Sequence, residues 1–137
     1  MLAALRLARR GLGTVWPNPA VGCILVGGGG AVIGRGWTQP GGRPHAETQA
    51  LARAGAAARD ATAYVTLEPC NHDGETAPCS EALIGAGIGR AVVAIEDPDP
   101  RVAGSGIRRL EAAGIPVTLG IASGEARDLN AGFLMRI

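Results

Sequence analysis

The chain has 137 residues, 47% of them hydrophobic and 18% charged, with a formal net charge of +1. That length and balance suit one domain with its own apolar core and leave too little charge for disorder. A near-neutral charge with only 3% aromatic residues argues against a nucleic-acid binder, which needs a basic face and stacking rings. The absence of an eighteen-residue apolar run argues against a membrane span. With so few rings, the core has to be built from Ala, Val, Leu and Ile.

The N-terminal stretch 2–10 predicts a helix with Leu2, Leu5 and Ala8 near one face, arginines in its last turn and Gly11 after it. It lacks the continuous apolar region of a signal peptide. Asn18 is bracketed by Pro17 and Pro19 in a rigid loop at 13–19. The branched run 21–26 reads as a buried strand, 27–30 as a glycine turn and 32–37 as the returning strand of a hairpin. A Gly/Pro loop at 40–44 leads into a helix opened by His45 and stopped by Gly55.

The third strand, 63–67, delivers Glu68, Pro69 and Cys70 at its carboxyl end. A loop at 71–78 returns to Cys79, which opens a short helix reaching Ala86. A fourth strand at 91–95 is broken by Asp97-Pro98-Asp99-Pro100. A helix over 105–113 stops at Gly114, a fifth strand covers 117–121, and Ser123 is placed to cap a last helix that ends near Gly132. Alternating strands and helices imply right-handed crossovers and parallel pairing of strands three to five. The expected fold is therefore a three-layer α/β/α domain around a five-stranded mixed sheet, filling 1–137 with no repeat or linker.

The chemistry concentrates between His45 and Cys79. One imidazole and two thiols are the donors of a tetrahedral zinc site that keeps a fourth position for water. Glu47, two residues after the histidine, is placed to carry protons for that water. A His-x-Glu followed by Pro-Cys and a second Cys is the pattern of zinc deaminases acting on nucleobases. That pattern has two residues between the cysteines, and this chain has eight. His45 and Cys79 open helices, whose N-termini favour thiolate and anion.

Each residue alone has a plainer reading: a histidine cap, two core thiols, a carboxylate in a first helical turn. The joint pattern is what favours a metal. Cys23, inside an apolar run, reads as core. His72, between the two cysteines, reads as a substrate contact or as a fourth ligand that would close the site. Gly104-Ser105-Gly106 reads as a turn or as an anion-binding helix start. Three cysteines make a poor disulfide framework and fit a reducing compartment.

The motifs LxLAxxGxG, PNPAVG, HAE, VTLEPCxHxGxTxPC, ALIxAGI, DPxPxVxGxG and a closing LNxxF resemble the deaminase domain of the riboflavin-biosynthesis bifunctional deaminase/reductase family, over essentially the whole chain. The resemblance implies a cytidine-deaminase-like fold. It implies hydrolytic deamination of 2,5-diamino-6-ribosylamino-4(3H)-pyrimidinone 5′-phosphate, with release of ammonia. It implies zinc held by His45, Cys70 and Cys79, with Glu47 as proton shuttle and Asn18 and His72 lining the pyrimidine pocket.

The implied setting is cytoplasmic, with a small-molecule substrate and neither nucleic acid nor membrane as partner. No reductase domain is expected within residues 1–137, and whether a reductase is fused, separate or absent and whether the protein is a homo-oligomer stay open. Three positions depart from the family pattern. Glu75 stands where Arg or Lys is usual, beside the expected phosphate, and Ala77 and Asp99 stand where Pro and Asn are usual. Arg43 or Arg101 is the expected replacement cation for Glu75. The alternatives are a zinc deaminase of another base or nucleoside, such as cytosine, guanine or adenosine, and a non-catalytic zinc-stabilised binding module.

Overall fold

The computed structural model describes residues 1–72 and 77–135. In chain order these form α1 (Leu2–Arg9), β1 (Gly22–Val26), β2 (Val32–Trp37), α2 (Ala46–Ala54) and β3 (Thr62–Val65). There follow α3 (Cys79–Gly85), β4 (Arg90–Val93), α4 (Ser105–Ala112), β5 (Val117–Leu119), α5 (Ser123–Leu129) and α6 (Ala131–Leu134).

The strands make one sheet in the order β2-β1-β3-β4-β5. β1 is antiparallel to both β2 and β3, whereas β3, β4 and β5 run parallel. This is the expected mixed sheet. Helices α2, α3 and α4 cover one face, and α1 and α5 the other. On the first face Cys23, Leu25 and Val65 meet Ala46 and Ala50 of α2, Leu83 of α3 and Leu110 of α4. On the second face, Ile24 packs on Ala4 and Leu7 of α1. The alternation of Cys23 and Leu25 against Ile24 is the period-two placement of strand side chains. Both faces are covered, so β1 is buried from Gly22 to Leu25 and reads in sequence as one apolar run.

Small residues set how closely the layers approach. A Cβ at Gly36 of β2 would run into the carbonyl of Ala46, so glycine there lets the first turn of α2 lie directly on the sheet. That turn carries Glu47.

Several boundaries differ from expectation. The third, fourth and fifth strands end two residues earlier at their carboxyl ends than the apolar runs predict, although pairing continues through isolated bonds such as Ala94 N–H to the Val65 carbonyl and Glu68 N–H to the Ile95 carbonyl. Thr66 and Leu67 form a bend, which turns the chain from the sheet towards the site. On α1, Leu2 is exposed, and the buried face is Ala4, Leu5, Leu7 and Ala8. Ser123 caps nothing: it is the first helical residue, behind Ala122 in the left-handed region at φ 58°. The last helix divides at Asn130 (φ −105°, ψ 25°) into α5 and α6. None of the helices of the described residues is long and apolar enough to cross a membrane.

Candidate metal centre

Three elements converge at the carboxyl ends of the parallel strands, where ligands of α/β sheets bind. His45 is the N-cap of α2, with extended backbone (φ −68°, ψ 160°) after Pro44. Cys70 follows β3 and the Glu68-Pro69 turn, and Cys79 is the first residue of α3. The two cysteines are tied to each other: Cys79 N–H donates to Cys70 Sγ at 3.1 Å, and Ser80 N–H donates to the Cys70 carbonyl at 3.0 Å.

His45 Nδ1 lies 3.4 Å from Cys79 Sγ and 4.0 Å from Cys70 Sγ, and the three donor atoms are all within 4.8 Å of one another. Tetrahedral zinc with bonds of about 2.0–2.1 Å to nitrogen and about 2.3 Å to sulfur separates its ligand atoms by roughly 3.5–3.8 Å. The donor set and its spacing therefore fit a zinc ion.

The Cys79 side chain donates to Cys70, and with His45 and the Cys79 amide it draws the Cys70 pKa down to about 4, against the opposing effect of burial. The same bond, with burial and the Glu47 charge, raises Cys79. Cys70 thus ionises first. A divalent cation held by His45, Cys70 and Cys79 would need both sulfurs as thiolates, since thiolate is the binding form. The hydrogen bond to Cys70 raises His45 as well.

Glu47 is buried, 4% exposed. Burial, the largest effect, and the Cys70 charge raise its carboxyl to about 7, despite lowering contributions from backbone hydrogen bonding, His45 and Cys79.

Beside these groups opens a cavity of about 330 Å³, lined by Asn18, Arg43, His45, Glu47, His72, Asp97 and Phe133 among others. Its size is that of a small-molecule cleft. Asn18 and His72 are exposed residues on its rim. The Asn18 amide lies against Gly42 so closely that a Cβ there would overlap it. His72 stands outside the donor group, which among the described residues is His45, Cys70 and Cys79. Cys23 is fully buried in the core beneath, where desolvation pushes its thiol up. Glu75 lies outside the described residues. Asp99 holds Arg101 by its Nε and Nη2 atoms and is held low, at about 2, by that partner. Among the described residues, Arg43 is the arginine that lines the cavity.

Sequence reasoning passed over Asp97, read as a strand breaker, and Asn130 and Glu68, read only as motif letters. The alternative reading of Gly104-Ser105-Gly106 as an anion-binding helix start is the one found, although sequence did not name the anion. The anion at that helix start is internal: the Glu68 carboxylate accepts the N–H groups of Gly104, Gly106 and Ile107.

Residues 1–95 match the model of the cytidine and deoxycytidylate deaminase zinc-binding region. The chain belongs to this deaminase family. It is 53% identical over its full length to the riboflavin biosynthesis protein RibD of Escherichia coli, of which it spans 37%. It is 46% identical to the diaminohydroxyphosphoribosylamino-pyrimidine deaminase of Buchnera aphidicola, of which it covers 92%. Among solved structures, the diaminohydroxyphosphoribosylaminopyrimidine deaminase/5-amino-6-(5-phosphoribosylamino)uracil reductase of Thermotoga maritima superposes with a TM-score of 0.93 at 39% identity. That match covers 100% of this chain and 40% of the other. The expected cytidine-deaminase-like fold is thus the one found.

Proposed function

We propose that residues 1–137 form a zinc-dependent deaminase unit that hydrolyses an amino group from a diaminohydroxyphosphoribosylamino-pyrimidine, releasing ammonia. One observation carries the reading: the His45, Cys70 and Cys79 donors meet at zinc spacing, and His45 and Cys70 line a cavity that Glu47 also lines. The Buchnera relative, covered almost end to end, bears that substrate in its name.

His45, Cys70 and Cys79 would hold the metal, whose contribution is Lewis acidity that makes water a competent nucleophile near neutral pH. The reaction exchanges the C–NH₂ of the pyrimidine for C=O, consuming one water and yielding ammonia. A Glu47 carboxylate oxygen takes a proton from the attacking water and delivers it to the departing amino nitrogen. A buried carboxylate beside the water can both accept a proton and return it. Asn18 and His72 are assigned to the base, and Glu75, from its sequence position alone, to the phosphate end. Arg43 on the cavity wall is the cation we place opposite that phosphate. Three cysteines present as free thiols suit a cytoplasmic setting, with the reductase step supplied by a domain or chain beyond these residues.

The test is ammonia release across a panel of aminopyrimidine ribotides, cytidine, guanine and adenosine. The diaminopyrimidine ribotide should be preferred by a large factor in kcat/KM. Equal turnover of cytidine would overturn the substrate assignment. The same comparison of phosphorylated and dephosphorylated substrate in Glu75→Arg should raise the preference for the phosphorylated form; an unchanged ratio removes Glu75 from the site.

A further inference from the structure

Cys70 is the one metal donor that no helix carries. It sits in the irregular stretch between β3 and α3, and its backbone needs another support. The structure supplies one on each side. Two residues before it, Glu68 is buried at 6% exposure. Its Oε1 accepts the N–H of Asp97 at 3.0 Å and of Gly104 at 2.9 Å, and its Oε2 accepts those of Gly106 at 2.8 Å and Ile107 at 3.1 Å. One residue after it, Asn71 donates from Nδ2 to the Ser105 carbonyl at 3.4 Å and accepts the Ser80 hydroxyl at 2.8 Å.

Both flanks of Cys70 therefore reach the same first turn of α4. Between them, Pro69 lies against Gly106 so tightly that a Cβ at position 106 would overlap the Pro69 carbonyl. Helix α4 has no side-chain cap of its own: its N-cap is Gly104, in the left-handed region at φ 82°. The carboxylate from the neighbouring strand end takes over that task with three of its four charge-assisted bonds, a strong type. Through Asp97 it also fixes a wall of the cavity.

We propose that Glu68 is a positioning residue for the metal site: by gripping the start of α4 it sets where Cys70 Sγ stands relative to His45 and Cys79, and where Asp97 stands in the cavity. This rests on the metal-site reading above and extends it to a residue outside the His45, Cys70 and Cys79 donor group. Outer residues that orient ligands change metal affinity about 10- to 100-fold when replaced.

Glu68→Gln keeps the size of the side chain and turns one acceptor into a donor facing N–H groups. The zinc-loaded parent and variant are compared by chelator competition, by the visible spectrum of the cobalt-substituted form and by thermal unfolding. The expected result is a zinc dissociation constant raised at least about tenfold and shifted cobalt bands in a folded protein. A purely structural role would lower the unfolding midpoint and leave the cobalt bands in place, and a folded Glu68→Gln with parental zinc affinity and spectrum overturns the inference. Should Glu68→Gln fail to fold, Asn71→Ala carries the test, since Asn71 is exposed and grips the same turn. It should loosen zinc in the same direction, and unchanged zinc affinity overturns the proposal. A parent that binds no zinc overturns the metal reading itself, whereas a zinc-loaded parent beside an indifferent variant overturns only the role of Glu68.

Discussion

Asn130 holds Ala20 by both ends of its amide: Oδ1 accepts the Ala20 N–H at 2.9 Å and Nδ2 donates to the Ala20 carbonyl at 2.9 Å. The pair is buried and spans 110 residues of sequence. It staples the junction of α5 and α6 to the loop that carries Asn18, so that Phe133 and Asn18 line the same cavity.

Asn130→Ala should leave the Ala20 N–H and carbonyl buried without partners. The expected cost is about 1–3 kcal/mol for each group so stranded, read by denaturant unfolding. Because the change loosens the binding wall and spares the metal donors, KM should rise while zinc content stays at one per chain. A parental KM in the folded variant would break the link between this staple and the cavity.

Glu47→Gln should keep the fold and the metal, because an amide occupies the same buried space. Turnover should fall on the order of 10² to 10⁴, the usual share of a proton-transferring group. Near-parental turnover would assign the proton transfer to another group.

Cys79→Ser should lose most of the bound zinc, measured by elemental analysis after dialysis, because the site then lacks one of its two thiolates. Cys23→Ala is the control: that thiol is in the core and the variant should keep full stoichiometry. Zinc retained in the first, or lost from a folded second, contradicts the donor assignment.

The hairpin and the alternation behind it were legible because their signals are local: a branched run, four glycines, a second branched run. The convergence of His45, Cys70 and Cys79 was legible for the same reason, since each sits at an element boundary marked by proline or by a helix start. Glu68, Asp97 and Asn130 carried no such signal. Their partners lie 29 to 110 residues away, and a carboxylate that satisfies another element's amides looks in sequence like any other carboxylate. The break at Asn130 was hidden likewise, because the pattern around it stays helical while its side chain is committed to Ala20.

The last prediction concerns pH. In the metal-free chain, burial foremost and the Cys70 charge beside it raise the Glu47 carboxyl from the ordinary range near 4.5 to about 7. A group whose folded pKa is raised contributes stability that is complete below its unfolded pKa and is lost as pH rises through its folded pKa. The loss should therefore fall between about pH 4.5 and somewhat above pH 7. Glutamine at position 47 cannot ionise and escapes it. Cys70 has the opposite linkage, held low at about 4, and would mask the effect in the parent alone. Subtracting the Glu47→Gln profile from the parent profile removes most of that background. In the metal-free proteins, the unfolding free energy of the variant relative to the parent should climb across this window, by an amount on the order of 3 kcal/mol. Zinc should shrink the climb, because a cation beside Glu47 favours the ionised carboxylate. A flat difference from pH 4 to pH 8 would show that Glu47 ionises in the folded chain as it does in water.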